Sequence, residues 1–374
     1  MRNSFFHVVF VCCFIENVLA NQSYVLRTAH RIGVSEKGKS IHLGGFSGLY
    51  FLGMNAATGE YQFLSHTDRG PNLNPLIETK DGRTMRPYPL ASFTPEWFVL
   101  ETNKKEKSLK VLKRVKLKTK QGSFLRGVPF RSRDRDSDEW LTTESGKPIA
   151  ASFLGVDLEG ITKDSEGNIW MCEEYLPSIL KFSDKGILLK RYVPIGSLND
   201  QEKVSVEEVL GKNVIKEILP AELTSKQINR GFEGITWFKG RIYAAMQSSL
   251  RQSKKQTIPI LELNPLTEII TAEYEYPLLQ PGVDKIGDMS SSSDKIFLIE
   301  QNSVNGAEAV RKIYEVNNFS SRLLKKTLVK DLKNSDAKLE GLALTSENKI
   351  FVINDNDFQI NSDTNPQTIL QLIE

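Results

Sequence analysis

Phe232-Glu233-Gly234-Ile235 is the stretch from which the fold can be read, because the phrase returns along the chain. Phe46-Ser47-Gly48-Leu49, Leu158-Glu159-Gly160-Ile161 and Leu339-Glu340-Gly341-Leu342 are its other full copies, and Gly287-Asp288-Met289 is a weaker fifth. Three of the four full copies place Glu directly before Gly. Glu233 to Asp288 spans 55 residues and Asp288 to Glu340 spans 52, close to the period of β-propeller blades.

Each phrase leads into a polar turn and a second β-rich run. Asp164 to Asn168 precedes Ile169-Trp170-Met171-Cys172, Lys239-Gly240 precedes Arg241 to Ala245, and Ser346 to Lys349 precedes Ile350 to Ile353. Polar turns between β-branched and aromatic runs read as hairpins. The second run then ends in polar residues again: Glu173 and Glu174, Gln247, Glu300 and Gln301, Asn354 and Asp355, and His66 with Asp68 near the start. In a propeller the strands of a blade run outward from a central channel, so the innermost strands all begin at one face and each hairpin returns to it. The phrase residues and the strand-end residues are therefore expected at one mouth of the channel.

The fold predicted is all-β, a single propeller with helical and basic inserts between blades. Ser47, Glu159, Glu233, Asp288 and Glu340 mark five units, and the 112 residues from Ser47 to Glu159 leave room for one more. Six blades are expected, with five or seven as the alternatives. Helical excursions are predicted over Glu202 to Ile218 and Pro220 to Ile228. The basic run from Ser108 to Lys118 reads as an edge strand whose lysines keep it from pairing with other chains, in preference to a polyanion-binding patch.

Composition bounds what such a fold can do. The 374 residues are 40% hydrophobic and 25% charged, which excludes disorder and a multi-span membrane protein. Forty-nine Lys and Arg against 46 Asp and Glu leave a net charge of +3, too balanced for a nucleic-acid binder. Arg2, the apolar run from Phe5 to Ile15 and the closing Val18-Leu19-Ala20 read as a secretory signal peptide over residues 1–20, leaving a domain over 21–374. The mature protein is expected to be secreted or periplasmic, with no membrane insertion. Cys12 and Cys13 leave with the signal, so Cys172 stands alone and reads as a core residue. Asn21-Gln22-Ser23 and Asn318-Phe319-Ser320 match the glycosylation sequon.

Several carboxylates at one channel mouth repel one another unless something neutralises them. An oxygen-rich site with only four His in the chain suits a hard divalent cation, Ca²⁺ first and Mg²⁺ or Mn²⁺ next, rather than zinc. Arg69, Arg230 and Arg251, close in sequence to the acidic positions, are the alternative source of positive charge. The simplest reading of one such phrase is a turn whose acid caps backbone N–H groups; its repetition argues for a shared site.

Phe46 to Leu49, Ser65-His66-Thr67-Asp68-Arg69-Gly70-Pro71-Asn72, Asp157 to Ile161, Glu173-Glu174-Tyr175, Asn229 to Gly234, and Leu339 to Leu342 with Asn354-Asp355-Asn356-Asp357 resemble, in order, the phytase-like family known as the "esterase-like activity of phytase" domain. Leu158 stands where that family usually has Pro, a departure that concerns turn stiffness more than chemistry. The resemblance implies a secreted or periplasmic hydrolase of phosphoesters, acting on a small phosphoester or other anionic substrate as a monomer. It implies a cation among Glu159, Glu233, Asp288, Glu340 and Asp355, with Glu174 or Asp68 as general base. Arg69 and Arg230 would clamp the phosphate, with His66 and Gln247 beside them. Two other readings stay open. A gluconolactonase-like propeller uses its cation to activate a lactone or ester carbonyl, and a noncatalytic propeller binds a protein or glycan through its loops.

Overall fold

The computed structural model describes residues 22–27, 30–76, 85–131, 139–251, 253–278, 281–304, 308–332, 338–360 and 367–373. The expected signal peptide and the Asn21 sequon lie outside them. No helix among the described residues is long and apolar enough to cross a membrane.

The described strands group into five antiparallel blades. Blade I holds Phe46–Met54, Tyr61–Thr67, Glu96–Asn103 and Ser108–Lys116. Blade II holds Leu158–Lys163, Ile169–Glu173, Ser178–Phe182 and Leu188–Pro194, with Ile215–Leu219 added in parallel on the outside. Blade III is Phe232–Phe238, Arg241–Met246, Thr257–Asn264 and Ile269–Pro277. Blade IV is Lys285–Ser291, Ile296–Gln301, Arg311–Val316 and Thr327–Asp331. Blade V combines Lys338–Leu344, Ile350–Asp355 and Ile369–Ile373 with Ser23–Leu26 from the other end of the chain.

The first strand of each blade touches the first strand of the next, and the series closes from blade V back to blade I. Among the described residues the expected six blades are therefore five. Between Ser47 and Glu159 the chain builds blade I and a small sheet of Met85–Tyr88, inserted between the second and third blade I strands, with Trp140–Thr143 and Pro148–Ile149; this sheet contributes no inner strand. Gly48 shows why a further blade cannot enter there. A Cβ on this residue would lie 2.8 Å from the Ile161 nitrogen and 2.9 Å from the Glu159 oxygen, so blades I and II meet backbone to backbone. Gly160 meets blade III in the same way, its Cβ position 2.8 Å from the Ile235 nitrogen. The glycine of the repeated phrase is thus the contact that lets successive inner strands close around a narrow channel.

The two helical expectations are met in part. Asn199 caps a helix over Asp200–Leu210 through a reciprocal capping box with Glu202. Gly211, at φ 104°, ends it, and the β-branched stretch that follows joins blade II as a strand instead of continuing the helix. Ala221–Ser225 is a short 3₁₀ turn. Ser108–Lys116 is the outer strand of blade I, as the edge reading requires, with only its first two residues paired to Val25 and Leu26. Apolar faces of neighbouring blades pack against each other; blades II and III share Trp170, Tyr192, Phe232, Ile235 and Met246. Cys172 is buried in this layer and accepts a bond from the Gly160 nitrogen at 3.2 Å.

Candidate active site at the channel mouth

Strand pairing slips within the repeated phrase in all five inner strands: at Ser47/Leu49, Leu158/Ile161, Phe232/Gly234, Ile286/Asp288 and Leu339/Gly341. Such a bulge inserts an unpaired residue and re-aims its side chain. In blades III and V the unpaired residue is the acid itself, Glu233 and Glu340. Blade IV inverts the order, so Asp288 stands where the others have glycine. Its carboxylate is occupied by the backbone N–H groups of Met289 and Leu342, both at 2.7 Å, and it ties blade IV to blade V.

The phrase acids adjoin a polar cavity of about 270 Å³ at one end of the channel. Six acids line it, namely Asp68, Glu139, Glu159, Glu174, Glu340 and Asp357, together with five bases, Arg69, Arg86, Arg230, Lys285 and Lys338. The expected acidic ring is in this way interleaved with cations. Lys338 bridges Glu340 at 2.7 Å and Asp355 at 2.9 Å. Burial alone would raise the Asp355 carboxyl, but Lys338 outweighs it and holds Asp355 below its usual range. One terminal nitrogen of Arg69, with its two N–H groups, is shared among four acceptors: Asp157 at 2.9 Å, Asn229 at 2.9 Å, the Tyr175 hydroxyl at 3.1 Å and Glu139 at 3.2 Å. Arg86 grips both oxygens of Glu139 and also Asn72.

Three carboxylates of blade II share a single ion pair among the described residues, that of Asp157 with Arg69. One carboxylate oxygen each from Asp157, Glu159 and Glu174 lies within 4.8 Å of the others, and all three residues are buried. This cluster could hold a metal ion: three hard oxygen donors without His or Cys suit Ca²⁺ or Mg²⁺ chemistry. Glu159 also accepts a bond from the Ser47 hydroxyl at 2.9 Å. Burial, then the charges of Glu233 and Asp157, push the Glu159 carboxyl well up. The same causes, burial and then Asp157, bring Glu174 to about 8. Glu173 holds this corner in place. It accepts the backbone N–H groups of Asp157, Tyr175 and Leu176 and pairs with the buried Arg191 at 3.2 Å.

The structure brings Asp68, Arg69, Glu159, Glu174, Arg230, Gln247 and Glu340 to the cavity wall. Glu233 lies just behind it, bonded to the Gln247 amide through one oxygen, while its other oxygen is buried with no partner. Asp288 is placed among backbone amides, as described, and His66 is fully buried. The two His66 ring nitrogens face the carbonyls of Thr67 at 3.0 Å and Glu159 at 3.1 Å, so the imidazole joins blades I and II rather than facing the cavity. Arg251 is exposed and does not line the cavity. Sequence reasoning missed Asp157, Lys285 and Lys338 as site residues. They share one signal, since each directly precedes the apolar residue that opens the phrase. Arg86 and Glu139 come from the small sheet between blades I and II and carry no repeat signature.

No curated protein matches the chain. Among solved structures it is similar to the PQQ-bound aldose sugar dehydrogenase of Streptomyces coelicolor, with 9% identity over 94% of this chain and 98% of that one and a TM-score of 0.39. It is also similar to an exo-β-1,3-galactanase of Phanerochaete chrysosporium, with 9% identity over 94% of this chain and 64% of that one and a TM-score of 0.45. The family model described as "Phytase-like: Esterase-like activity of phytase" matches residues 41–358, which takes in all five inner strands and every residue lining the cavity. The chain belongs to the phytase-like family.

Proposed function

We propose that this protein is a secreted or periplasmic, metal-dependent hydrolase of ester bonds, phosphoesters first, working at the channel mouth. The observation that carries this reading is the buried trio of Asp157, Glu159 and Glu174 beside a polar cavity. Those three residues would hold the cation, Ca²⁺ in preference to Mg²⁺ or Mn²⁺. Held by these residues, a divalent cation would supply polarisation of a phosphoryl or carbonyl oxygen and a more acidic water. Of the two carboxylates expected to take the proton of the attacking water, Glu174 would be engaged as a ligand of that cation. Asp68 lines the same cavity outside the trio and is the candidate to take that proton. Arg230 presents its guanidinium to the cavity as a donor to anionic oxygens. In hydrolysis the water oxygen bonds to phosphorus, the bond to the ester oxygen breaks, and the departing oxygen gains a proton.

One observation favours a neutral ester or lactone instead. Arg69, the residue expected to clamp phosphate, has one terminal nitrogen turned to four protein acceptors, although its buried Nε has no partner among the described residues. Turnover of phosphomonoesters, phosphodiesters, carboxylic esters and lactones, each with and without chelator and with added Ca²⁺, Mg²⁺ or Mn²⁺, separates the two. Phosphate release that is lost with chelator and restored by cation is the expected result. Activity on neutral esters alone would transfer the reading to an esterase, and inactivity on all four would refute the hydrolase.

A further inference from the structure

The five cations of the cavity differ in what already binds them. Arg69, Arg86 and Lys338 are each held by two or more acceptors. Lys285 is 6% exposed and lines the cavity, and its side chain makes no hydrogen bond or ion pair among the described residues. Arg230 donates to the neutral amide of Gln247 at 2.7 Å, and its one ion pair, to the exposed Asp284, is long at 3.7 Å. A nearly buried ammonium without a direct hydrogen-bond partner is costly, and such groups are found with an anion, a ligand or water against them.

Gln247 ties together the backbone beside these two cations. Gln247 directly follows the second strand of blade III, and its carbonyl accepts the Ile286 nitrogen at 3.0 Å, which anchors the backbone directly after Lys285. The Gln247 nitrogen donates to the Gly231 carbonyl at 2.7 Å, next to Arg230, while its side-chain oxygen accepts from the Arg230 guanidinium. One residue thus positions a point charge and a planar fork at the same wall, a pairing suited to an oxyanion.

We propose that Lys285 and Arg230 form an anion subsite that binds the phosphate group of a phosphate monoester, and that they take the role expected of Arg69. Its catalytic meaning rests on the hydrolase reading; its binding chemistry does not. Lys285 also lies close to Glu233 and Glu340. If balancing those charges were its whole work, replacing it would alter cation affinity and leave phosphate binding unchanged.

Binding of inorganic phosphate is measured by calorimetry on the full-length mature protein, with Ca²⁺ present and absent. Lys285→Met and Arg230→Gln are each expected to weaken phosphate about 10–100-fold, the scale of losing a charge-assisted hydrogen bond. Lys285→Arg is expected to keep most of it. Arg230 is partly exposed, so its variant tests the subsite even if Lys285→Met folds poorly. Wild-type protein that binds no phosphate, or both truncations binding it like wild type, overturns the subsite. Phosphate binding that is lost in the variants of a protein without ester turnover supports the subsite and refutes only the hydrolase. Phosphoester turnover with KM unchanged in Lys285→Met and Arg230→Gln does the reverse.

Discussion

Glu174 is set apart from its neighbours by the absence of a partner. Asp157 is taken by Arg69, and Glu340 and Asp355 by Lys338, whereas the Glu174 side chain accepts no bond among the described residues. Glu174→Gln keeps the shape and removes a charge repelled by Asp157. It is expected to lower Ca²⁺ affinity at least about tenfold and turnover about 10²–10⁴-fold, with an unchanged or raised melting temperature. Terbium luminescence, initial rates and a thermal melt check the three; a lowered melting temperature with intact cation binding would make Glu174 structural. His66 behaves oppositely. Burial lowers its folded pKa from 6.5 to about 4, so stability present above about pH 6.5 is lost as pH falls towards 4, by up to about 3 kcal/mol. Urea unfolding at pH 7 and 5 is expected to show this loss in wild type relative to His66→Gln, and parallel pH profiles would refute it. At this scale the repeated acids and Gln247 were legible in the sequence because they recur. Lys285 and Lys338 were not, because a lysine opening a strand reads as solvated until the blades are arranged around it.

The inner strand with its bulge is the repeating element, and its glycine serves packing rather than chemistry. Gly160 has an ordinary negative φ, so Gly160→Ala acts through sterics alone, forcing a Cβ against the Ile235 nitrogen at 2.8 Å and the Glu233 oxygen at 3.0 Å. A loss of about 1–3 kcal/mol is expected by chemical denaturation, as for overpacked cores. A neutral outcome would mean that the blades separate more readily than their contact implies. The hairpins that follow each phrase were readable from turn chemistry. The Ile215–Leu219 strand was misread as helix because five residues of mixed polarity carry too little periodicity, and its state is decided by the blade II edge it joins.

At the scale of the molecule, ring closure depends on Ser23–Leu26, which pairs with Ile369–Ile373 at one edge and reaches the outer strand of blade I at the other. Deleting those four residues leaves blade V with three strands. The expected result is early hydrogen exchange in 338–373 and a melt that is lower and less cooperative; an unchanged melt would show that inner-strand packing alone closes the ring. The cation reading is also testable here. Because the Glu174 carboxyl is raised from 4.5 to about 8, the stability it contributes without cation is full below about pH 4.5 and lost as pH rises through 8. Stabilisation by Ca²⁺ is therefore expected to grow from pH 5 to 8, reaching about 2.7 kcal/mol at a hundred times the dissociation constant. What the sequence by itself determined was the all-β repeat, the glycine-acid phrase and the convergence of its acids, because a blade's register is written locally in strand and turn residues. The blade number, the charge balance of the cavity and the gathering of Asp157, Glu159 and Glu174 were decided only by tertiary structure. The first two depend on distances between strands up to about 300 residues apart, which exist only once the ring has closed, and the trio depends on the bulged pairing of one blade II hairpin, which a residue pattern alone does not locate.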